Sequence, residues 1–223
     1  MSSFVIKIIA CVFMFFDHIK YALPELENFI TVYMGRIAFP LFAFLITEGY
    51  LHTKDVSKYR NRLFIAAIIS QVPFVLFRFL VGEWNCLNII FTFVISISAM
   101  MIYDKLSNKF LALFIDACLV ILVELLHIEY GWYAMVIVLI FHVFKNKKIW
   151  MSIFYILTVI IYYYTLGFNV FMNINAFVYA ICTIIPLGIV LLYNGEKGRD
   201  DKRLFYYFYP IHMMIVYLLH FLF

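Results

Sequence analysis

Two hundred and twenty-three residues, 66% hydrophobic, 21% aromatic and only 13% charged, exclude a soluble globular domain, whose usual figures are about 45–50% apolar and 25% charged. The formal net charge of +4, from 17 Lys and Arg against 13 Asp and Glu, sits in short clusters between long apolar runs. That pattern belongs to membrane topology and excludes a nucleic-acid footprint. A hydrocarbon core about 30 Å thick needs ~20 apolar residues per helix, so the spans consume nearly the whole chain and leave no soluble catalytic domain.

Apolar runs predict membrane helices at 4–22, 29–51, 60–81, 88–103, 110–127, 131–144, 149–166, 174–193 and 204–222. The expected fold is all-α: one polytopic membrane helix bundle of about nine spans, a single integral-membrane domain over 1–223. The first run holds Lys7 and has no small-residue cleavage site before Pro24, so it reads as a retained helix and not a signal peptide. The sixth run reaches only about 21 Å at 1.5 Å per residue. It is either a thin span or partly re-entrant, and in the second case eight spans remain. Cys11, Cys118 and Cys182 lie inside apolar runs and Cys86 in a loop, which is neither a disulfide framework nor metal-type spacing.

The loops alternate in charge. Lys54, Lys58, Arg60 and Arg62, then Lys105 and Lys109, then Lys145, Lys147 and Lys148, then Lys197, Arg199, Lys202 and Arg203 mark every second loop. The loops between them carry Glu25, Glu27, Glu83 and Glu129 or no charge. The positive-inside rule makes the basic loops cytoplasmic, the amino terminus inside and the protein a multi-pass component of the cell membrane. No internal repeat of the transporter kind is visible.

Ionisable groups inside the spans cost at least ~2.5 kcal/mol each on insertion scales and so ask for a pairing or functional reason. Counted along the helices, His18 and Glu124 lie roughly 21 Å from the inner edge and Arg36 about 10 Å below the outer edge, one shared level. Asp17 adjoins His18 but points about 100° away on a helix, so Glu124 or a residue of another helix is the expected orienter of the imidazole. Lys7, Glu48, His52, Arg62, Asp116 and His212 form a second level nearer the cytoplasm. Lys7, Cys11, Met14 and His18 share one stripe, suggesting a polar shaft with a basic inner mouth suited to an anionic cytosolic ligand. Structural readings stand beside these. Arg36 with Glu124 would serve as an interhelical ion pair, His212 after Pro210 as a packing histidine, and the 54–62 run as a topology signal. A metal site from His18, His127 and Glu124 lacks the short His spacing such sites use, so none is expected. A membrane bundle with a buried polar site suits a transporter or an enzyme.

Specific words go further. KIIACVFMFFDHIKYA at 7–22, GRIAFPLFAFLITEGYLHTKDVSKYRNRLFIAAIISQVPF at 35–74, LNIIFT at 87–92, EYGWY at 129–133, YNGEKG at 193–198 and YYFYPIH at 206–212 together resemble the TraX family, in the family's order and from end to end. The resemblance implies an integral membrane protein of the kind that acetylates the amino terminus of conjugative pilin, grouped with transmembrane acyltransferases that use cytosolic acyl-CoA. Carried over, the family's motifs fall on Asp17, His18, Gly35, Arg36, Glu48, Gly49, His52, Thr53, Tyr59, Arg62, Asn88, Phe91, Thr92, Tyr209, Pro210 and His212. One departure is Ala134 where a second glycine of a Tyr-Gly-x-Tyr-Gly motif is expected.

The resemblance implies acetyl-CoA as co-substrate, no metal, and a peptide, glycan or lipid acceptor in or across the bilayer. His18 is then the expected general base, with Asp17, Arg36 and Glu124 around it. Lys7, Glu48, His52, Lys54, Lys58, Arg60, Arg62 and His212 are expected along the acyl-CoA path, Asn88, Thr92, Tyr130 and Tyr209 toward the acceptor, and Arg36, with Asn88 or Tyr130, at the acceptor or the developing oxyanion. Histidine suits a base because its reference pKa near 6.5 leaves it mostly neutral near pH 7. A transporter or flippase, or a non-catalytic assembly factor, would use the same buried charges for solute binding or packing.

Overall fold

The computed structural model describes residues 1–199 and 202–222, without the side chains of 202–205; Lys202 and Arg203 of the fourth basic loop therefore lie outside the described side chains. The fold is an all-helical bundle. Its helices are α1 Ser3–Ala22, α2 Phe29–Val32, α3 Ala38–His52, α4 Val56–Phe79, α5 Ile89–Lys105, α6 Lys109–Leu125, α7 Gly131–Val143, α8 Lys148–Thr165, α9 Ile174–Leu191 and α10 Lys202–Leu219. Among the described residues, four helical stretches are long and apolar enough to cross a membrane: Phe29–His52, Val56–Phe79, Lys148–Thr165 and Ile174–Leu191. Large apolar side chains such as Phe110, Phe114, Ile149 and Leu125 stand outward, as lipid contact allows and water would not. The chain is a membrane protein.

Asparagine and aspartate start many of these helices, because a short side-chain acceptor satisfies the first free backbone donors. Asn108 caps α6 and Asn173 caps α9 in this way, and Asp55 starts α4 by accepting the Lys58 N–H at 2.9 Å. That bond holds the Asp55 carboxyl below the ordinary carboxylate range. Before α2, Asn28 accepts from Ile30 and Thr31 while the Thr31 hydroxyl accepts the Asn28 N–H, a reciprocal capping box.

The second expected span is not one helix. α2 gives way to a 3-10 turn, Met34–Ile37, before α3 begins. One cause is tertiary: a Cβ on Gly35 would fall 2.6 Å from the Cβ and Oδ1 of Asp17, so this turn presses its backbone against α1. Pro40 falls in the first turn of α3, where a missing N–H costs nothing.

The sixth run is one uninterrupted helix, α7, and its shortness has a reason. Tyr133, Ala134, Met135, Ile137, Val138, Ile140, Phe141 and His142 are all buried, with α3, α5, α6 and α8 packed around it. A helix wrapped by other helices is not measured against bilayer thickness as a lipid-facing one is. α1 meets α3 and α10, and α10 meets α4; this group positions the polar interior.

Candidate functional site

Two cavities follow one another along α1, α3 and α10, and a third adjoins the second at Phe39 and Tyr130. The largest, about 700 Å³, lies at the end where α3 stops and α4 starts. Lys7, Glu48, His52, Lys54, Lys58 and Arg62 line it, six of the residues expected along an acyl-CoA path. Lys197 and Arg199 complete a cationic wall whose acidic neighbours among the described lining residues are Glu48 and Asp55. Backbone bonds build that wall: the Ser3 N–H donates to Glu196 at 2.9 Å, the Phe4 N–H to Lys197 at 3.1 Å, and the Asn194 N–H to Met1 at 3.1 Å. The YNGEKG loop thus clasps the start of α1. Within the cavity wall, Tyr193 hydrogen-bonds Glu48 and His52 lies 3.3 Å from its Oε2. Gly49 admits the Tyr59 ring, whose hydroxyl would lie 2.5 Å from any Cβ there.

Arg60 does not join this wall. Its guanidinium turns the other way and donates to Ser98 on α5 at 3.5 Å, because adjacent or next-adjacent residues of a helix face different neighbours.

Farther along the same helices lies a chamber of about 30 Å³, lined by Met14, Asp17, His18, Phe42, Glu129, Tyr130 and Tyr209 among others. It shares no lining residue with the large cavity, so the expected shaft is a succession of separate spaces. The His18 Nδ1 lies 2.9 Å from Nε2 of His212, and Nδ1 of His212 lies 2.8 Å from the Phe208 carbonyl. A carbonyl only accepts, so His212 Nδ1 carries the proton and its Nε2 accepts. His18 Nδ1 must then donate, which leaves the lone pair of a neutral His18 at Nε2. His212 therefore belongs with His18 and not with the lower polar level, and it takes the orienting role that Glu124 was expected to fill.

Glu124 stands elsewhere. It is exposed at the end of α6, and its Oε2 accepts the Trp132 N–H at 3.0 Å at the start of α7; depth along a helix did not specify which way it faced. Asp17 turns from His18 to the ammonium of Lys20 at 3.1 Å, and its carboxylate is the strongest charge acting on Arg36. Asp116 is buried on α6 with both oxygens unpartnered among the described residues and lines none of the three cavities.

Arg36 lines the third cavity, about 180 Å³, with Tyr130, Tyr133, Tyr162, Tyr163 and Tyr179. Its guanidinium lies 5.6 Å from the centre of the Tyr179 ring, within cation–π range. Leu166 and Phe168, from the α8–α9 connection, place this cavity at the end opposite the basic one. Phe39 and Tyr130, stacked at 4.5 Å, wall both the chamber and this outer cavity.

Tyr130 and Glu129 are held by a short parallel bridge, with the Leu87 N–H donating to His127 at 3.1 Å and the Glu129 N–H to Leu87 at 2.9 Å. Burial pushes the Glu129 carboxyl up to about 7, against the opposing pull of Arg78. Asn88, expected toward the acceptor, is fully committed: its amide donates to Ala67 and to Gln71 Oε1, both at 2.8 Å, while its oxygen accepts from Ile90. It clamps α5 to α4. Thr92 is buried and lines none of the three cavities. Glu129 and the tyrosines at 133, 162, 163 and 179 were not expected here; EYGWY carried a signal for Glu129 and Tyr133, whereas the others read as aromatic bulk.

The model of a family described as "TraX protein" matches residues 2–220. The chain is also 26% identical over 238 residues to the "Probable fimbrial assembly protein FimC, serogroup H1" of Dichelobacter nodosus, covering 96% of this chain and 94% of that protein. No solved structure matches it.

Proposed function

This chain belongs to the TraX family, and we propose that it is a membrane-embedded acyltransferase, moving an acetyl group from cytosolic acetyl-CoA to an amine or hydroxyl acceptor at the other side of the bilayer. The observation that carries this reading is the His18–His212–Phe208 chain. It presents an unprotonated nitrogen at a chamber set between a basic cavity and an aromatic one. In this reading the basic loops are cytoplasmic and the whole chain forms one catalytic domain.

The cationic cavity attracts the phosphates of CoA, and its 700 Å³ suits a ligand with a nucleotide head and a long pantetheine arm. The arm brings the thioester toward the chamber. His18 Nε2 takes the proton from the acceptor as its nitrogen or oxygen attacks the carbonyl carbon. The new bond forms, the carbonyl pair moves to oxygen, and collapse breaks the C–S bond. The departing thiolate then takes the proton from His18. A positioned histidine contributes typically about 10²–10⁴-fold to such a step.

The outer cavity is the acceptor's place in this scheme. The relative's name as a fimbrial assembly protein supports a pilin-type peptide amino terminus, and a glycan or lipid hydroxyl is the other acceptor class. The test uses the purified protein in lipid nanodiscs with [¹⁴C]acetyl-CoA and a panel of amino-terminal pilin peptides, glycosides and lipids. Label on one acceptor class, dependent on His18, supports the reading. Binding or flux of a solute with no transfer of label to any of them overturns it in favour of a transporter or a non-catalytic assembly factor.

A further inference from the structure

Tyr209 stands on α10 between Phe208, whose carbonyl fixes the His212 tautomer, and His212 itself, with its ring 5.6 Å from that imidazole. The side chain is 5% exposed, and its hydroxyl is buried without a hydrogen-bond partner among the described residues. Buried hydroxyls are almost always paired, because desolvation without a partner is unfavourable. The orphaned hydroxyls of Ser70 and Thr92 line none of the three cavities. Tyr209 differs in lining the same chamber as His18.

The chamber has room for little else. A water needs roughly 10–15 Å³ of such space, so about 30 Å³ holds two or three non-hydrogen atoms, the size of an acetyl carbon–oxygen–methyl unit. The other polar walls have other commitments: Asp17 is an acceptor held by Lys20, Glu129 donates only in its protonated form, and Tyr130 stacks on Phe39 in the wall shared with the outer cavity.

We propose that the Tyr209 hydroxyl is a catalytic hydrogen-bond donor that receives the carbonyl oxygen of the acetyl thioester in this chamber. The assignment rests on the acyltransferase reading above and deepens it. When the acceptor attacks, the carbonyl electron pair moves onto that oxygen, and the Tyr209 O–H bond points at the negative charge that develops there. The phenol keeps its proton throughout. The charge returns to re-form the carbonyl as the C–S bond breaks, and His18 alone carries the transferred proton. Tyr209 and His18 thus divide the work between oxygen and proton from two helices whose contact the His18–His212 bond fixes.

The competing role for Tyr209 is structural, closing onto the Glu129 carboxyl that shares the chamber wall. Tyr209→Phe separates the two, read in nanodiscs by acetyl transfer, by thermal unfolding and by the infrared stretch of [1-¹³C]acetyl-CoA bound to the protein. The expected result is a fall in kcat of about 10²–10³-fold, the scale of one lost oxyanion donor, with KM for acetyl-CoA changed less than about threefold. The unfolding temperature should hold or rise, because no partner is left behind, and the bound carbonyl stretch should move up toward its free value. Unchanged kcat, an unmoved carbonyl band, or a loss of activity matched by a loss of folded protein each overturns the assignment. Wild-type protein that binds acetyl-CoA without transferring it removes the acyltransferase reading, while the carbonyl band still decides whether Tyr209 holds that oxygen. Wild-type protein that fails to bind acetyl-CoA removes both.

Discussion

Gly35 lies so close to Asp17 that any side chain between them would have to displace the α1 backbone: a Cβ there would fall 2.8 Å from the Asp17 Cα. The neighbours of both residues in sequence are the ones that matter, because Arg36 follows Gly35 into the outer cavity and His18 follows Asp17 into the chamber. This contact therefore sets the spacing between the two sites.

Gly35→Ala should open that spacing. Overpacking of a tight contact costs typically about 1–3 kcal/mol, and the displaced backbone carries His18 with it. The expected outcome is a lowered unfolding temperature in detergent together with a loss of acetyl transfer greater than the unfolded fraction explains. A variant with wild-type unfolding and turnover would show that the helices separate freely here.

His18→Gln should lower acetyl transfer by about 10²-fold or more, the scale of a lost general base, with folding and acyl-CoA binding kept. The partner residue gives the sharper test. His212→Gln keeps a side-chain oxygen that can accept the His18 Nδ1–H, whereas His212→Leu leaves that donor unpaired and the tautomer unfixed. The glutamine variant should therefore retain more activity than the leucine variant, by about tenfold on the lower end of that scale. Equal loss in both, measured as kcat at saturating donor, would make His212 a packing residue.

The basic cavity and the chamber position of His18 were legible in the sequence for one reason: ionisable residues in a chain this apolar stand out, and the helical stripe from Lys7 to His18 runs past two of the cavities. Pairing was not legible. The His18 and His212 imidazoles meet across 194 residues, and no spacing rule reaches that far. Depth counting placed Glu124 beside His18 because it fixes height along a helix but not the face a residue presents. The break between α2 and α3 is partly of this kind: the Gly35 contact with Asp17 is invisible in sequence, although Pro40, which cannot donate to the Arg36 carbonyl four residues earlier, was a local signal inside the expected span. Asn88 read as a substrate group because its amide partners, Ala67 and Gln71, become visible only when α4 lies against α5.

Arg62 and Arg60 are separated by one residue yet face different surroundings, which makes them a matched pair for testing the donor site. Arg62 lines the 700 Å³ cavity and Arg60 reaches Ser98 instead. Arg62→Glu should weaken acetyl-CoA binding about tenfold or more, and the response of binding to added salt should flatten, because a phosphate contact screened by salt has been removed. Arg60→Glu should leave affinity within about twofold on the same electrostatic reasoning. Calorimetric titration in detergent at two ionic strengths reads both; equal affinities for Arg62→Glu and wild type would place the CoA phosphates elsewhere.

Glu129 makes the protein's stability depend on pH in a definite direction. Burial raises its carboxyl from 4.5 to about 7 in the folded protein, while Arg78 and Arg36 pull it down and Asp17 pushes it up. The folded state therefore binds this proton more tightly than the unfolded chain does. Its contribution to stability is fully present below about 4.5 and is lost as pH rises through about 7. Glu129→Gln mimics the protonated form and removes that dependence. Unfolding temperatures in detergent should converge for the two proteins well below pH 4.5, where wild type is protonated in both states, and separate above pH 7, with the glutamine protein the more stable. Arg78→Gln should enlarge the wild-type fall, since the strongest charge opposing protonation of Glu129 is gone. Parallel pH curves for wild type and Glu129→Gln would show that the carboxyl is solvated, and the chamber would then be open to water at its Glu129 wall.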